Sequence, residues 1–118
     1  MNFNLPQIPQ RDIKPRKHGL TMVMDKGLSN QEVHNFLSVA GPYVDLVKLG
    51  FGTAMVTPML NEKLAIYADY DMPVYFGGTL FEAFLIRNCF DEYVELITRY
   101  GLKHVEVSDG SISIPHAE

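Results

Sequence analysis

Four short apolar runs, each closed by glycine, aspartate or serine, constrain this chain more than any other feature. They start at Leu20, Val44, Pro73 and His104, so 24 to 31 residues separate one from the next. That interval holds one strand, one helix and two loops, the repeat of a βαβ unit with right-handed crossovers. The first run, Leu20 to Met24, stops at Asp25-Lys26-Gly27. Ser29 and Glu32 then form a capping-box signature for a helix to about Val39, halted by Gly41-Pro42. The second strand, Val44 to Leu49, ends at Gly50. Thr57-Pro58 reads as the cap and first-turn proline of a helix reaching about Asp71. The third strand, Pro73 to Phe76, runs into Gly77-Gly78-Thr79, where Thr79 and Glu82 suggest a second capping box. The helix that follows extends toward Tyr100, broken near Asn88, and Gly101 stops it. The fourth strand, His104 to Val107, leads into Ser108-Asp109-Gly110-Ser111. The order is β-α-β-α-β-α-β, and the sheet is expected to be parallel.

Side-chain alternation assigns faces to these strands. Met22 and Met24, Val47 and Leu49, Val74 and Phe76, and Val105 and Val107 form apolar faces suited to a helix layer. The opposite faces turn polar at their C-terminal ends with Asp25, Lys48, Tyr75 and Glu106. Helices on one side and polar strand ends on the other describe a (β/α) barrel, whereas an open doubly wound sheet is apolar on both faces. A complete (β/α)8 barrel takes about 250 residues. With four strands in 118 residues, the reading is the N-terminal half of a TIM-type (β/α)8 barrel over residues 19–118, preceded by a flexible basic arm over 1–18. Pro115 reads as the start of a fourth helix.

Lys48 is the residue out of place. A cation in an apolar strand is costly unless paired, and Glu106, from the strand two positions on, shares its barrel layer. Either the two form an ion pair without chemistry or they belong to a site. Gly52-Thr53, Gly78-Thr79 and Gly110-Ser111 each join a glycine to a hydroxyl after a strand, where backbone N–H groups favour an anion. Glu82 divides evenly between capping its own helix and serving the site. Nothing resembles a Walker loop or a dinucleotide fingerprint. His18, His34, His104 and His116 lack zinc-ligand spacing. A net charge of −4 argues against nucleic acid as the main partner. The basic cluster Arg11, Lys14, Arg16 and Lys17 reads as a solvated tail. The single Cys89 permits no internal disulfide and reads as a packed small residue; with no apolar run of membrane length, a cytoplasmic protein is expected. These rules reach a barrel that takes an anionic small molecule, with Asp and Glu oxygens suited to Mg²⁺.

The blocks "GLTMVMDKG", "YVDLVKLGFGT", "VYFGGTLFEAF" and "VEVSDGS" resemble, in order and spacing, the N-terminal half of the phosphosulfolactate synthase family. Phe51 departs from the family pattern, which favours tryptophan there; the ring is kept and the indole N–H is lost. The resemblance implies a TIM-type barrel and a Mg²⁺-dependent carbon–sulfur lyase that adds sulfite to phosphoenolpyruvate, giving (2R)-3-sulfolactate phosphate, a step of coenzyme M biosynthesis. From that chemistry, Lys48 and Glu106 are the expected catalytic residues. Lys26, Gly78, Thr79 and Ser111 are expected to bind substrate, and Asp25, Glu106 and Asp109 to hold or orient Mg²⁺. The expected partners are small anions together with a second copy or a complementary half-barrel chain, the isolated chain being inactive. A non-catalytic barrel relative in stress or protein interaction, or another Mg²⁺-dependent barrel enzyme of enolate chemistry, is the alternative.

Overall fold

A computed structural model describes residues 2–115. Three strands, β1 (Met22–Asp25), β2 (Leu46–Leu49) and β3 (Val74–Phe76), lie side by side in chain order as one parallel sheet. The helices are α1 (Asn30–Ala40), α2 (Thr53–Val56), α3 (Leu60–Asp69), α4 (Gly78–Leu85) and α5 (Phe90–Arg99). The Cα radius of gyration is 16.6 Å and the extents are 54 × 33 × 21 Å. A closed domain of this length has a radius near 13–14 Å, so the sheet is an open slab, part of a barrel wall.

Local chemistry explains most boundaries. Ser29 accepts from the Glu32 amide and Glu32 accepts from the Ser29 amide, each at 3.2 Å, so the first capping box forms as read. The Thr57-Pro58 start does not. The chain instead turns into α2, Thr57 donates to the Thr53 carbonyl at 2.7 Å to end that turn, and Met59 takes φ 51° before α3 begins. The second capping box fails as well: Gly77 caps α4, and Glu82 points elsewhere. Asn88, at φ 56°, breaks the long helix where expected.

The register fixes which side chains share a face. Met24, Lys48 and Tyr75 are neighbours across the sheet, as are Asp25, Leu49 and Phe76. In a parallel sheet paired residues project to the same side, so Asp25 joins the helix-covered core and Met24 joins the inner face. The reading that put Asp25 beside Lys48 is thereby reversed. The cause is one residue of phase: Val23, not Met22 or Met24, packs on the core with Val47 and Leu49. That core is completed by Val33 and Leu37 of α1, Tyr67 of α3, Phe76 of β3 and Leu80 of α4. Each such side chain contributes about 1.5–3 kcal/mol of apolar burial.

The fourth strand differs too. His104–Val107 forms no ladder with β3, and no helix among the described residues covers Val105 and Val107, which are exposed. Among the described residues only β3 is placed to pair with this segment, and the ladder between them does not form. The helix expected at Pro115 runs into residues 116–118, which lie outside the described residues. The basic side chains of the arm do not float: Arg16 pairs with Asp45 at 2.7 Å, both side chains 6% exposed, and Lys14 donates to the Gly41 carbonyl at 3.0 Å. Asp45 in turn accepts from the Thr21 amide at 2.7 Å, tying arm and β1 to the start of β2. No helix among the described residues is long and apolar enough to cross a membrane.

Candidate active site

Lys48 emerges near the end of β2 on the inner face, and its ammonium meets both oxygens of Glu106 at 3.0 Å. Glu106 Oε1 also accepts from the Gly78 amide at 2.8 Å, the first free N–H of α4. The Tyr75 hydroxyl reaches the same carboxylate. Three groups, from β2, β3 and the start of α4, thus converge on one carboxylate at the C-terminal ends of the strands, where barrel chemistry is sited. Burial works to raise the pKa of Glu106. The Lys48 hydrogen bonds, the Gly78 amide, the Lys48 charge and the Tyr75 hydroxyl together outweigh it and hold the pKa below 4.5. Burial first, and the negative charge of Glu106 second, raise the pKa values of Tyr75 and Tyr93, so both phenols stay protonated.

Gly78 has no room for a side chain. A Cβ there would sit 2.7 Å from Ser108 Cβ and 2.9 Å from Glu106 Oε1. Glycine therefore permits the close approach of α4 to the Glu106–Ser108 segment. The carboxylate of Glu82, on α4, accepts from Ser108 Oγ and from the Ser111 amide, each at 2.7 Å. Sequence reasoning left Glu82 undecided because its i+3 spacing from Thr79 imitates a cap. Ser108 was missed, and the serine ending the "VEVS" run was its only signal.

The remaining expected site residues scatter. Thr79 is exposed on the first turn of α4, and Ser111 contributes its backbone to Glu82 rather than a free hydroxyl. Lys26 lies in the β1–α1 loop with its ammonium 5.8 Å from the centre of the Phe51 ring, a cation–π contact. Asp109 is exposed on the loop after Val107. Asp25 faces the helices, where Gly27 and Leu28 amides donate to Oδ1 at 2.8 Å each, and the Tyr67 hydroxyl donates to Oδ2 at 2.7 Å. Lys63 Nζ stands 2.9 Å from the same Oδ2, as an ion pair without a well-aligned hydrogen bond. Burial raises the Asp25 pKa, but these donors outweigh it and keep it below 3.8. The pair was missed in the sequence. Its signal is Lys63 four residues before Tyr67 on the buried stripe of α3.

Mg²⁺, which the family resemblance implies, takes octahedral oxygen ligands and keeps several waters. Asp25 has both oxygens engaged and sits on the wrong face, and among the described residues no three His, Cys, Asp or Glu gather as a metal group. The set Asp25, Glu106 and Asp109 does not fit the ion.

Comparison with known proteins settles the family. The model of "(2R)-phospho-3-sulfolactate synthase" matches residues 9–118. This chain belongs to the phosphosulfolactate synthase family. It is 43% identical over 100 residues to the phosphosulfolactate synthase of Methanocaldococcus jannaschii, covering 83% of this chain and 40% of that protein. The Bacillus subtilis phosphosulfolactate synthase is 32% identical over 117 residues, covering 99% and 46%. The Methanothermobacter thermautotrophicus phosphosulfolactate synthase is 35% identical over 112 residues, covering 93% and 43%. The chain spans less than half the length of these relatives, and its three-stranded sheet is the corresponding part of a TIM-type barrel.

Proposed function

We propose that this chain carries the Lys48–Glu106 part of a phosphosulfolactate synthase site, one that adds sulfite to C3 of phosphoenolpyruvate. The observation that supports it is the ammonium of Lys48, held at 3.0 Å on Glu106 beside the α4 N-terminus on the inner face. In this reaction a C–S bond forms at C3, the double-bond electrons move toward the carboxylate, and C2 then takes a proton. Both reactants are anions, and negative charge grows on the substrate carboxylate before protonation. A preorganised cation stabilises that charge without reorganising solvent, and Lys48 supplies it. Glu106 and Tyr75 orient the ammonium, and the partial positive charge at the start of α4 adds to the attraction for an anion.

The inner face is open on the side away from the helices, so the pocket is completed by further polypeptide, within a longer chain, from a second copy or from a complementary one. Mg²⁺ belongs in the assay because the family resemblance implies it. Phosphorus NMR of the protein with phosphoenolpyruvate, sulfite and Mg²⁺ tests the reaction, and amide shifts of Gly78 on adding phosphoenolpyruvate alone test the site. We expect the Gly78 signal to move and Lys48→Met to abolish the movement. A Gly78 amide unmoved by millimolar phosphoenolpyruvate would remove Lys48 and Glu106 from the substrate site.

A further inference from the structure

No backbone-to-backbone hydrogen bond ties residues 103–111 to the rest of the fold among the described residues; the last such bond is from the Leu102 amide to the Ile97 carbonyl. The position of Glu106 therefore depends on side chains. Three of its anchors, Lys48, the Gly78 amide and the Tyr75 hydroxyl, are at the site itself. The others come from Glu82, whose carboxylate grips the same segment through Ser108 Oγ and the Ser111 amide, each at 2.7 Å. Glu82 and Gly78 are four residues apart and lie over one another on the same side of α4. A clip at Glu82 thus holds the segment flat against the helix where Glu106 must reach Gly78.

We infer that Glu82 is a positioning residue, standing in for the ladder that His104–Val107 does not form and setting where Glu106 presents itself to Lys48. Its chemistry fits that task. Glu82 is 4% exposed, and its two bonds are to a hydroxyl and an amide. Burying a carboxylate against neutral donors is costly, but only a carboxylate accepts on both oxygens with no donor of its own to satisfy. Glutamine can still accept from the Ser111 amide and donate to Ser108 Oγ, but both bonds become neutral and lose the charge that strengthens them. Both partners lie beyond Glu106 in the chain, so releasing them loosens the hold on the segment on that side of the site. The inference rests on reading Lys48 and Glu106 as the site and adds the residue that aligns them.

Hydrogen exchange of the full chain, with no ligand present, tests it by NMR. Glu82→Gln should speed exchange of the Ser111 amide about tenfold or more, as expected for losing a charge-assisted hydrogen bond. The Gly78 amide, whose partner is Glu106 and not Glu82, should accelerate as well. The Val47 amide, bonded inside the sheet, should keep its rate, which separates this effect from general loosening. A fast Ser111 amide beside an unchanged Gly78 amide would overturn the inference, since Glu106 would then hold its place without the clip. Should Glu82→Gln fail to fold, Ser108→Ala removes one of the two grips and should accelerate Gly78 by a smaller factor; no change there would also overturn it. Because the readout needs neither substrate nor metal, failure of the proposed reaction leaves this result intact.

Discussion

Two lysine–carboxylate pairs lie on opposite faces of the same three strands, and they differ in almost everything except their residue types. Asp25 and Lys63 sit under the helix layer with side chains 1% exposed each, and Tyr67 and two loop amides complete the carboxylate. Lys48 and Glu106 sit on the inner face with side chains 16% and 33% exposed. The sealed carboxylate has both oxygens engaged, while Lys63 Nζ meets it as an ion pair without a well-aligned hydrogen bond. The inner pair keeps its cation within reach of solvent, and its carboxylate is shared among Lys48, Gly78 and Tyr75. Burial sealed from solvent makes a structural pair; burial with an open side makes one that can meet a substrate.

The comparison is broken most readily from the sealed side. Lys63→Met keeps the stem but strands the Asp25 charge in the core, and removing one partner of a buried pair costs about 3–5 kcal/mol. Urea denaturation of the variant should show that loss. A cost below about 1 kcal/mol would mean that water reaches Asp25 and that the two pairs are alike. The next largest effect belongs to Gly78→Ala. The added Cβ meets Ser108 Cβ at 2.7 Å and Glu106 at 2.9 Å, against atoms of a segment already clipped in place. Overpacking of this kind costs about 1–3 kcal/mol, and phosphoenolpyruvate-induced shifts near Lys48 should vanish with it. Retention of those shifts would mean that the segment moves aside freely.

Acid should separate the pairs as well. Both carboxylates have folded pKa values below their ordinary ones, 3.8 for Asp25 and 4.5 for Glu106. The unfolded chain therefore binds protons first as pH falls, so this stabilisation is complete above the ordinary values and is lost as pH drops through the folded ones. Asp25→Asn should flatten the acid limb of stability below pH 3.8. Glu106→Gln should flatten it less, because solvent screens the more exposed pair. Equal flattening in the two variants would contradict the contrast in burial.

How much of this was legible follows from what each signal encoded. Lys48 stood out because a cation interrupts an apolar strand, and Glu106 followed from strand spacing, so the inner pair was readable. Gly78 was readable from its doubled glycine. Asp25 was placed on the wrong face because a four-residue strand carrying Met22, Val23 and Met24 is apolar in both phases, and only packing against Val47 selects one. Lys63 was invisible because a lysine on a helix is ordinarily solvated. Its burial depends on a carboxylate 38 positions earlier, a pairing that no local pattern records. The extended segment at His104 carries a strand-like pattern, but pairing is a property of neighbours, and the ladder did not form.

The smallest expected effect is also the sharpest comparison, because it repeats one substitution on the other face. Lys48→Met removes the same charge as Lys63→Met and leaves a similar stem. Here the abandoned carboxylate keeps the Gly78 amide and the Tyr75 hydroxyl, and one-third of the Glu106 side chain is open to water. Solvent replaces the lost cation, so the pair contributes as partly exposed pairs do, about 0–1 kcal/mol. Denaturation midpoints of the two lysine variants, measured side by side at neutral pH, should therefore differ by most of the effect of Lys63→Met. Binding should show the reverse order, with phosphoenolpyruvate shifts lost in Lys48→Met and kept in whatever fraction of Lys63→Met remains folded. If Lys48→Met destabilised the chain as much as Lys63→Met, the inner pair would be holding the fold together, and the open face would lose its claim to be the site.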